Sequence, residues 1–123
     1  MRTISTIVFL LLSVSAWAQQ WEEFETTSEA TFYLDPATIK NQGGAVRVWA
    51  VQDFKTMRER NARSNVNLVE INCKEERYRL LALTEYSGQM GQGRSLTTSN
   101  SGGEWNYIAP RTVMNSLMRR ICK

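Results

Sequence analysis

From residue 21 onward the chain alternates apolar and polar positions in short runs, and only near its end does the apolar period lengthen to that of a helix. Residues 21–26 and 30–34 read as two strands, and Asp35-Pro36 breaks the second, because proline lacks an amide donor and fixes its own φ. Residues 36–40 are expected to form one helical turn before the Gly43-Gly44 turn. The clearest strand is 45–54, rich in valine and bounded by glycine. A polar tract, 55–64, separates it from a strand at 66–73. Lys74, Glu75 and Glu76 then connect to a hairpin partner at 78–86. Residues 87–93 hold three glycines and read as a loop, while 94–98 and 104–108 flank Asn100-Ser101-Gly102-Gly103 as a second hairpin. Val113, Met114, Leu117, Met118 and Ile121 then fall on one helical face. Pro110 marks the boundary, Thr112 is the expected N-cap, and Arg119, Arg120 and Lys123 lie where cations favour a helix C-terminus.

The first residues follow a different pattern. Arg2, the apolar run Ile7 to Leu12, and Ala16-Trp17-Ala18 form the charged, apolar and small-x-small regions of a secretory leader over residues 1–18, with cleavage expected before Gln19. The apolar run is shorter than the roughly 20 residues that span a bilayer, so no stable membrane insertion is expected. No cysteine precedes Cys73, so none stands at the cleavage site to carry a lipid, and the protein is expected in the periplasm or released. Residues 19–123 read as a single domain, of a size that buries roughly 60–65% of its unfolded surface. The formal charge of +3 includes Arg2, which leaves the mature chain nearer +2. That surplus gives no footprint for nucleic acid.

Export changes the reading of the two cysteines. An oxidising compartment and an even count favour a structural disulfide between Cys73 and Cys122; their spacing is far from that of a redox pair, and the sequence holds no histidine to complete a zinc site. The bridge closes a loop of about 50 residues, worth on the order of 4 kcal/mol in the chain-entropy account. Because Cys122 ends the helix, the bridge clamps that helix to the sheet. Val69, Ile71 and Cys73 then face the helix, while Val66 and Leu68 face away, and Trp49 and Val51 alternate against Val46, Val48 and Ala50. The second face is therefore not plainly polar. It reads as a homodimer interface, a ligand-contacting face, or a surface crossed by the chain's own loops.

Little in the chain suggests catalysis. Without histidine there is no ordinary general base, and with both cysteines bridged there is no thiolate. Lys40, Lys55, Lys74 and Lys123 have no recognisable serine partner, and Asp35 before proline reads as a turn former. Gly88-x-x-Gly91-x-Gly93 has the glycines of a phosphate loop but not the Lys-Ser/Thr that should follow. No cofactor or metal is expected. Lys55, Arg58, Arg60 and Arg63 are candidate contacts for an anionic ligand, against the reading of a solvated loop. Arg77 and Arg79 should project from one strand face and pair with Glu85 or neighbouring acids; Trp49 and Trp105 read as core anchors.

An ordered set of short motifs adds to this. Tyr33-Leu34-Asp35-Pro36 with Ile39, Val46-Arg47-Val48-Trp49, Glu70-Ile71-Asn72-Cys73, Arg77-Tyr78-Arg79, Tyr86-Ser87-Gly88, Trp105 with Pro110, and the terminal Cys122 together resemble the surface-adhesin protein E-like family of exported proteobacterial proteins. The resemblance implies an α+β fold: a bent antiparallel sheet of about six strands with a C-terminal helix packed on one, concave face and tied there by Cys73 and Cys122. It also implies binding of host matrix and serum proteins, and dimers. The chain departs from the family in lacking a lipid-attachment cysteine, and in having Arg111-Thr112 where Gly-Ser is frequent. The expectation is thus an exported, non-enzymatic interaction module with a protein partner. The alternatives are an envelope or inhibitor-like protein with no adhesive role and, from another class, a histidine-free carboxylate enzyme.

Overall fold

A computed structural model of the chain describes residues 3–8 and 20–123. Arg2 and the end of the expected leader, cleavage site included, lie outside the described residues. In order, the elements are β1 (Glu22–Thr26), β2 (Ala30–Leu34), β3 (Lys40–Gln42), β4 (Ala45–Phe54), β5 (Ser64–Asn72), β6 (Arg77–Tyr86), β7 (Ser95–Ser99), β8 (Asn106–Tyr107) and the helix α1 (Val113–Ile121). All strand pairs are antiparallel, in the order β1-β2-β4-β5-β6-β7, with β3 on β4 and β8 on β6. The fold is α+β, with six strands on the main path as the resemblance implies. Register shifts between Glu23 and Glu25, at Leu68/Val69 and at Glu85/Tyr86 mark the places where strands bend.

Two of the sheet's outer runs are interrupted strands. β2 and β3 lie end to end along β4, at Ala50–Phe54 and Ala45–Arg47, and the 3-10 turn Pro36–Thr38 fills the gap. Asp35 caps that turn, its carboxylate accepting from the Ala37 amide at 3.0 Å. Where β4 lacks a strand partner, Asp35 N donates to Trp49 O and Trp49 N donates to Thr38 Oγ1, each at 3.0 Å, so no backbone group is orphaned. Gly43 and Gly44, both at positive φ, make the β3–β4 turn.

At the other edge the structure departs from the expected second hairpin. β8 pairs with Arg77 and Tyr78 of β6, whereas β7 pairs with Leu83 to Tyr86 of the same strand. Asn100 to Gly103 is therefore an excursion in one edge run, tied back by Gly103 N donating to Leu80 O at 2.8 Å. Ten-residue β6 offers an edge long enough for both segments, and that edge outcompetes the local turn signal.

Helix α1 packs where the alternation requires. Leu117 and Ile121 close a core with Leu34, Val46, Val48, Ala50, Val69 and Ile71, so the expected helix-facing residues are the observed ones. Thr112 Oγ1 caps the helix by accepting from Asn115 N at 3.2 Å. Ser116 donates to Glu25 at 2.6 Å, and that hydrogen bond holds the Glu25 carboxyl below its usual pKa; Arg120 pairs with Glu22. Cys73 and Cys122 form the disulfide, with their Cα atoms 5.7 Å apart. No helix among the described residues is long and apolar enough to cross a membrane.

Candidate binding surface

The face turned away from α1 is covered at one end only. There the 3-10 turn Gln89–Gly91 lies across β4 and β5: Met90 N donates to Asp53 Oδ1, Gly91 N donates to Ser64 Oγ, both at 2.9 Å, and Ser64 Oγ donates to Gly88 O at 2.6 Å. Gly91 sits at φ 71°, and a Cβ there would fall 2.6 Å from Val66 Cγ2. The glycines of this segment thus permit close approach to the sheet. Beneath this end Val51 is fully buried. One of the expected readings, loops crossing the face, holds for this half.

The other half is open, and a lattice of charge crosses it. Arg47, Glu70 and Arg79 stand opposite one another on β4, β5 and β6. Arg79 donates to Glu70 Oε1 through Nε at 3.0 Å and Nη2 at 2.8 Å, and Arg47 Nε donates to Oε2 at 2.5 Å. Glu70 is 4% exposed. Burial pushes its carboxyl pKa up, but the hydrogen bonds and charges of the two arginines outweigh this and hold it below the usual value.

Aromatic rings extend the lattice. The Arg79 guanidinium lies 4.5 Å from the Trp105 ring centre, and that of Arg77 lies 4.4 Å from Tyr107 while donating to its hydroxyl at 2.6 Å. Trp105 is 37% and Tyr107 73% exposed, so Trp105 is no core anchor. Trp49, opposite Leu68 on the same face, is half-buried. Arg79, held by an inner carboxylate and carrying an exposed ring, with Arg77 and Tyr107 beside it, suits contact with another protein, since tryptophan, tyrosine and arginine dominate interface energetics.

Of the two expected partners of Arg77 and Arg79, the neighbouring acids hold and Glu85 does not: Arg79 pairs with Glu70 and Arg77 with Glu75 at 3.7 Å. The register shift at Leu68/Val69 inserts a residue into β6, which turns Leu83 and Glu85 to the helix side while Arg77 and Arg79 stay on the other. There Glu85 accepts from Thr97 Oγ1 at 2.8 Å. The exposed ring pair was missed because residues 104–108 were expected against 94–98. The two-residue spacings of Arg77/Arg79 and Trp105/Tyr107 match this pairing, but any strand offers such spacings, and the register along β6 is what selects it.

The basic tract lies at the β4–β5 connection, where Arg58 donates to Glu29 at 3.0 Å and stacks 5.1 Å from Phe54. Arg60 reaches Glu85 at 3.9 Å. Arg63 is half-buried, its amide donating to Tyr86 O, and Lys55 is exposed. Among the described residues no group of three or more His, Cys, Asp or Glu side chains is arranged to hold a metal.

The model of the surface-adhesin protein E family matches residues 21–123. Crystal form II of Haemophilus influenzae protein E superposes with a TM-score of 0.61 at 17% identity, over 80% of this chain and 91% of that one. Protein E from non-typeable Haemophilus influenzae gives a TM-score of 0.59 at 19% identity, over 81% and 74% of the two chains. Among curated proteins none matches the chain. With the Cys73–Cys122 bridge, the helix on one sheet face and a family match over nearly all of the chain that follows the leader-like segment, the chain belongs to the surface-adhesin protein E family.

Proposed function

We propose that this chain is an exported, non-enzymatic protein-binding module that engages its partner through the open half of the sheet, at Trp105, Tyr107 and the Arg47–Glu70–Arg79 lattice. The observation that carries the reading is the pair of exposed rings held on Arg77 and Arg79. The Arg79 guanidinium is fixed by Glu70 before binding, so little of its side-chain freedom is lost on contact. The absence of histidine and the bridging of both cysteines fit a non-enzymatic role. The leader-like segment supports export to the periplasm or release, and the family supports an adhesin-like partner of host origin.

The test is binding of the exported protein to immobilised laminin and vitronectin. Saturable retention is expected. No retention on either, together with strictly periplasmic fractionation, contradicts the adhesin-like role and favours an envelope partner. A second copy of the chain is the competing occupant of the same face. Sedimentation at rising concentration separates the two, since only self-association makes the apparent mass concentration-dependent.

A further inference from the structure

The charged row on the open face holds more cations than its one carboxylate answers. Lys40 of β3 stands directly opposite Arg47, and directly opposed residues share a face. The row therefore runs Lys40, Arg47, Glu70, Arg79 across four strands and ends on the Trp105 ring. Three cations flank a single carboxylate. Lys40 is exposed and forms no ion pair among the described residues.

Glu70 engages only part of each guanidinium. It takes Nε of Arg47, and Nε and Nη2 of Arg79. Nη1 and Nη2 of Arg47 and Nη1 of Arg79 have no protein partner among the described residues. Buried side-chain nitrogens without a partner occur at Arg63 Nε and Arg77 Nε and not at these three, so these three reach solvent. A guanidinium pinned at Nε presents its two outer nitrogens as a fork of fixed plane. Two residues further along β4 and β5, Trp49 and Leu68 stand opposite each other on the same face, both half-buried. That apolar row lies about 6.7 Å from the charged one, the repeat of two residues in an extended chain.

We propose that the partner presents an acidic, extended segment to this row: one carboxylate accepts from both outer nitrogens of Arg47 beside Lys40, and an apolar side chain two residues away rests on Trp49 and Leu68. The inference rests on the reading of this face as a protein-binding surface and names the chemistry of what it binds. Charge sets the class. Both oxygens of Glu70 are taken, so the row offers outward donors and uncompensated positive charge. A carboxylate, planar and acceptor-only, complements the Arg47 fork. Arginine clusters read acidic motifs by the same chemistry. A sulfated polysaccharide fits less well, because its repeated anions need an unbroken run of cations, and Glu70 interrupts this one. The apolar row beside it likewise suits a side chain and not a sulfate.

The exported protein is titrated with N-acetyl-glutamyl-seryl-leucine amide, followed by NMR at Nε–H of Arg47 and Arg79 and the indole N–H of Trp49 and Trp105. Saturable shifts at Arg47 and Trp49 are expected, weakening as salt rises. The glutaminyl analogue, the analogue with serine for leucine, and a heparin oligosaccharide should each bind about tenfold more weakly or worse. Lys40→Gln changes an exposed site and Arg47→Lys keeps a cation on Glu70; each should weaken the peptide at least about threefold. The comparison among probes on the wild-type protein decides the matter even if Arg47→Lys fails to fold. Absent or diffuse shifts, equal binding of the glutaminyl analogue, tighter binding of the oligosaccharide, or undiminished binding by both folded variants overturns the proposal. Laminin binding that is lost in Trp105→Ala, with no response to the acidic peptide, overturns this inference alone and leaves the protein-binding surface standing.

Discussion

Glu70 stands between Arg47 and Arg79 on three adjacent strands, so removing its charge leaves two guanidiniums facing an uncharged neighbour. Breaking a fully buried pair costs about 3–5 kcal/mol. Both arginines here are about a third exposed, so Glu70→Gln should cost less, roughly 2 kcal/mol at neutral pH, in urea unfolding. The folded pKa lies below the unfolded one. The carboxylate's contribution is therefore present above the unfolded carboxyl range and is lost as pH falls through the folded value. The gap between wild type and Glu70→Gln should narrow below about pH 4. A gap that widens in acid contradicts the assignment. At this scale the sequence was legible where a residue acts on its own neighbours: Asp35 caps its turn and Thr112 its helix as read. It was not legible where the partner is distant, and neither Glu70's two arginines nor the ring over Arg79 follows from local pattern.

Helix α1 was readable from its apolar period, and its docking face from the strand alternation opposite it. Leu117, 1% exposed, is the central contact. Leu117→Ala should lower stability by about 3 kcal/mol in denaturant titration, the usual cost of a buried leucine. A loss under about 1 kcal/mol means the helix is held by its disulfide and not by packing. The edge elements were read less well for a physical reason. A bulge in β6 changes the parity of every residue after it, and no composition signal announces it. Asn100 to Gly103 has hairpin chemistry, yet hydrogen bonding along β6 decides its path. Turn residues permit a reversal; they do not compel one.

At the scale of the molecule the disulfide joins the end of the helix to the end of β5 across 49 residues. Cys73→Ser with Cys122→Ser should cost roughly 4 kcal/mol against unfolding, with the helix-side core the first region to lose hydrogen-exchange protection. Unchanged stability in the serine pair contradicts a stapling role. The bridge and the helix make one face of the sheet an interior, while the turn Gln89–Gly91 covers half of the other. What remains outward is the half bearing Trp105 and Tyr107. The sequence pointed to that face without saying which part of it stays open, because covering it depends on where a glycine turn lands.

The most direct measurement compares laminin and vitronectin binding by the wild-type protein with that of a Trp105→Ala, Tyr107→Ala double variant, alongside Met57→Ala, an exposed apolar change outside this surface. A loss of at least about 2 kcal/mol in affinity for the double variant, with unchanged melting temperature and no loss for Met57→Ala, is the predicted result. Equal binding by all three proteins would contradict the assignment of this surface.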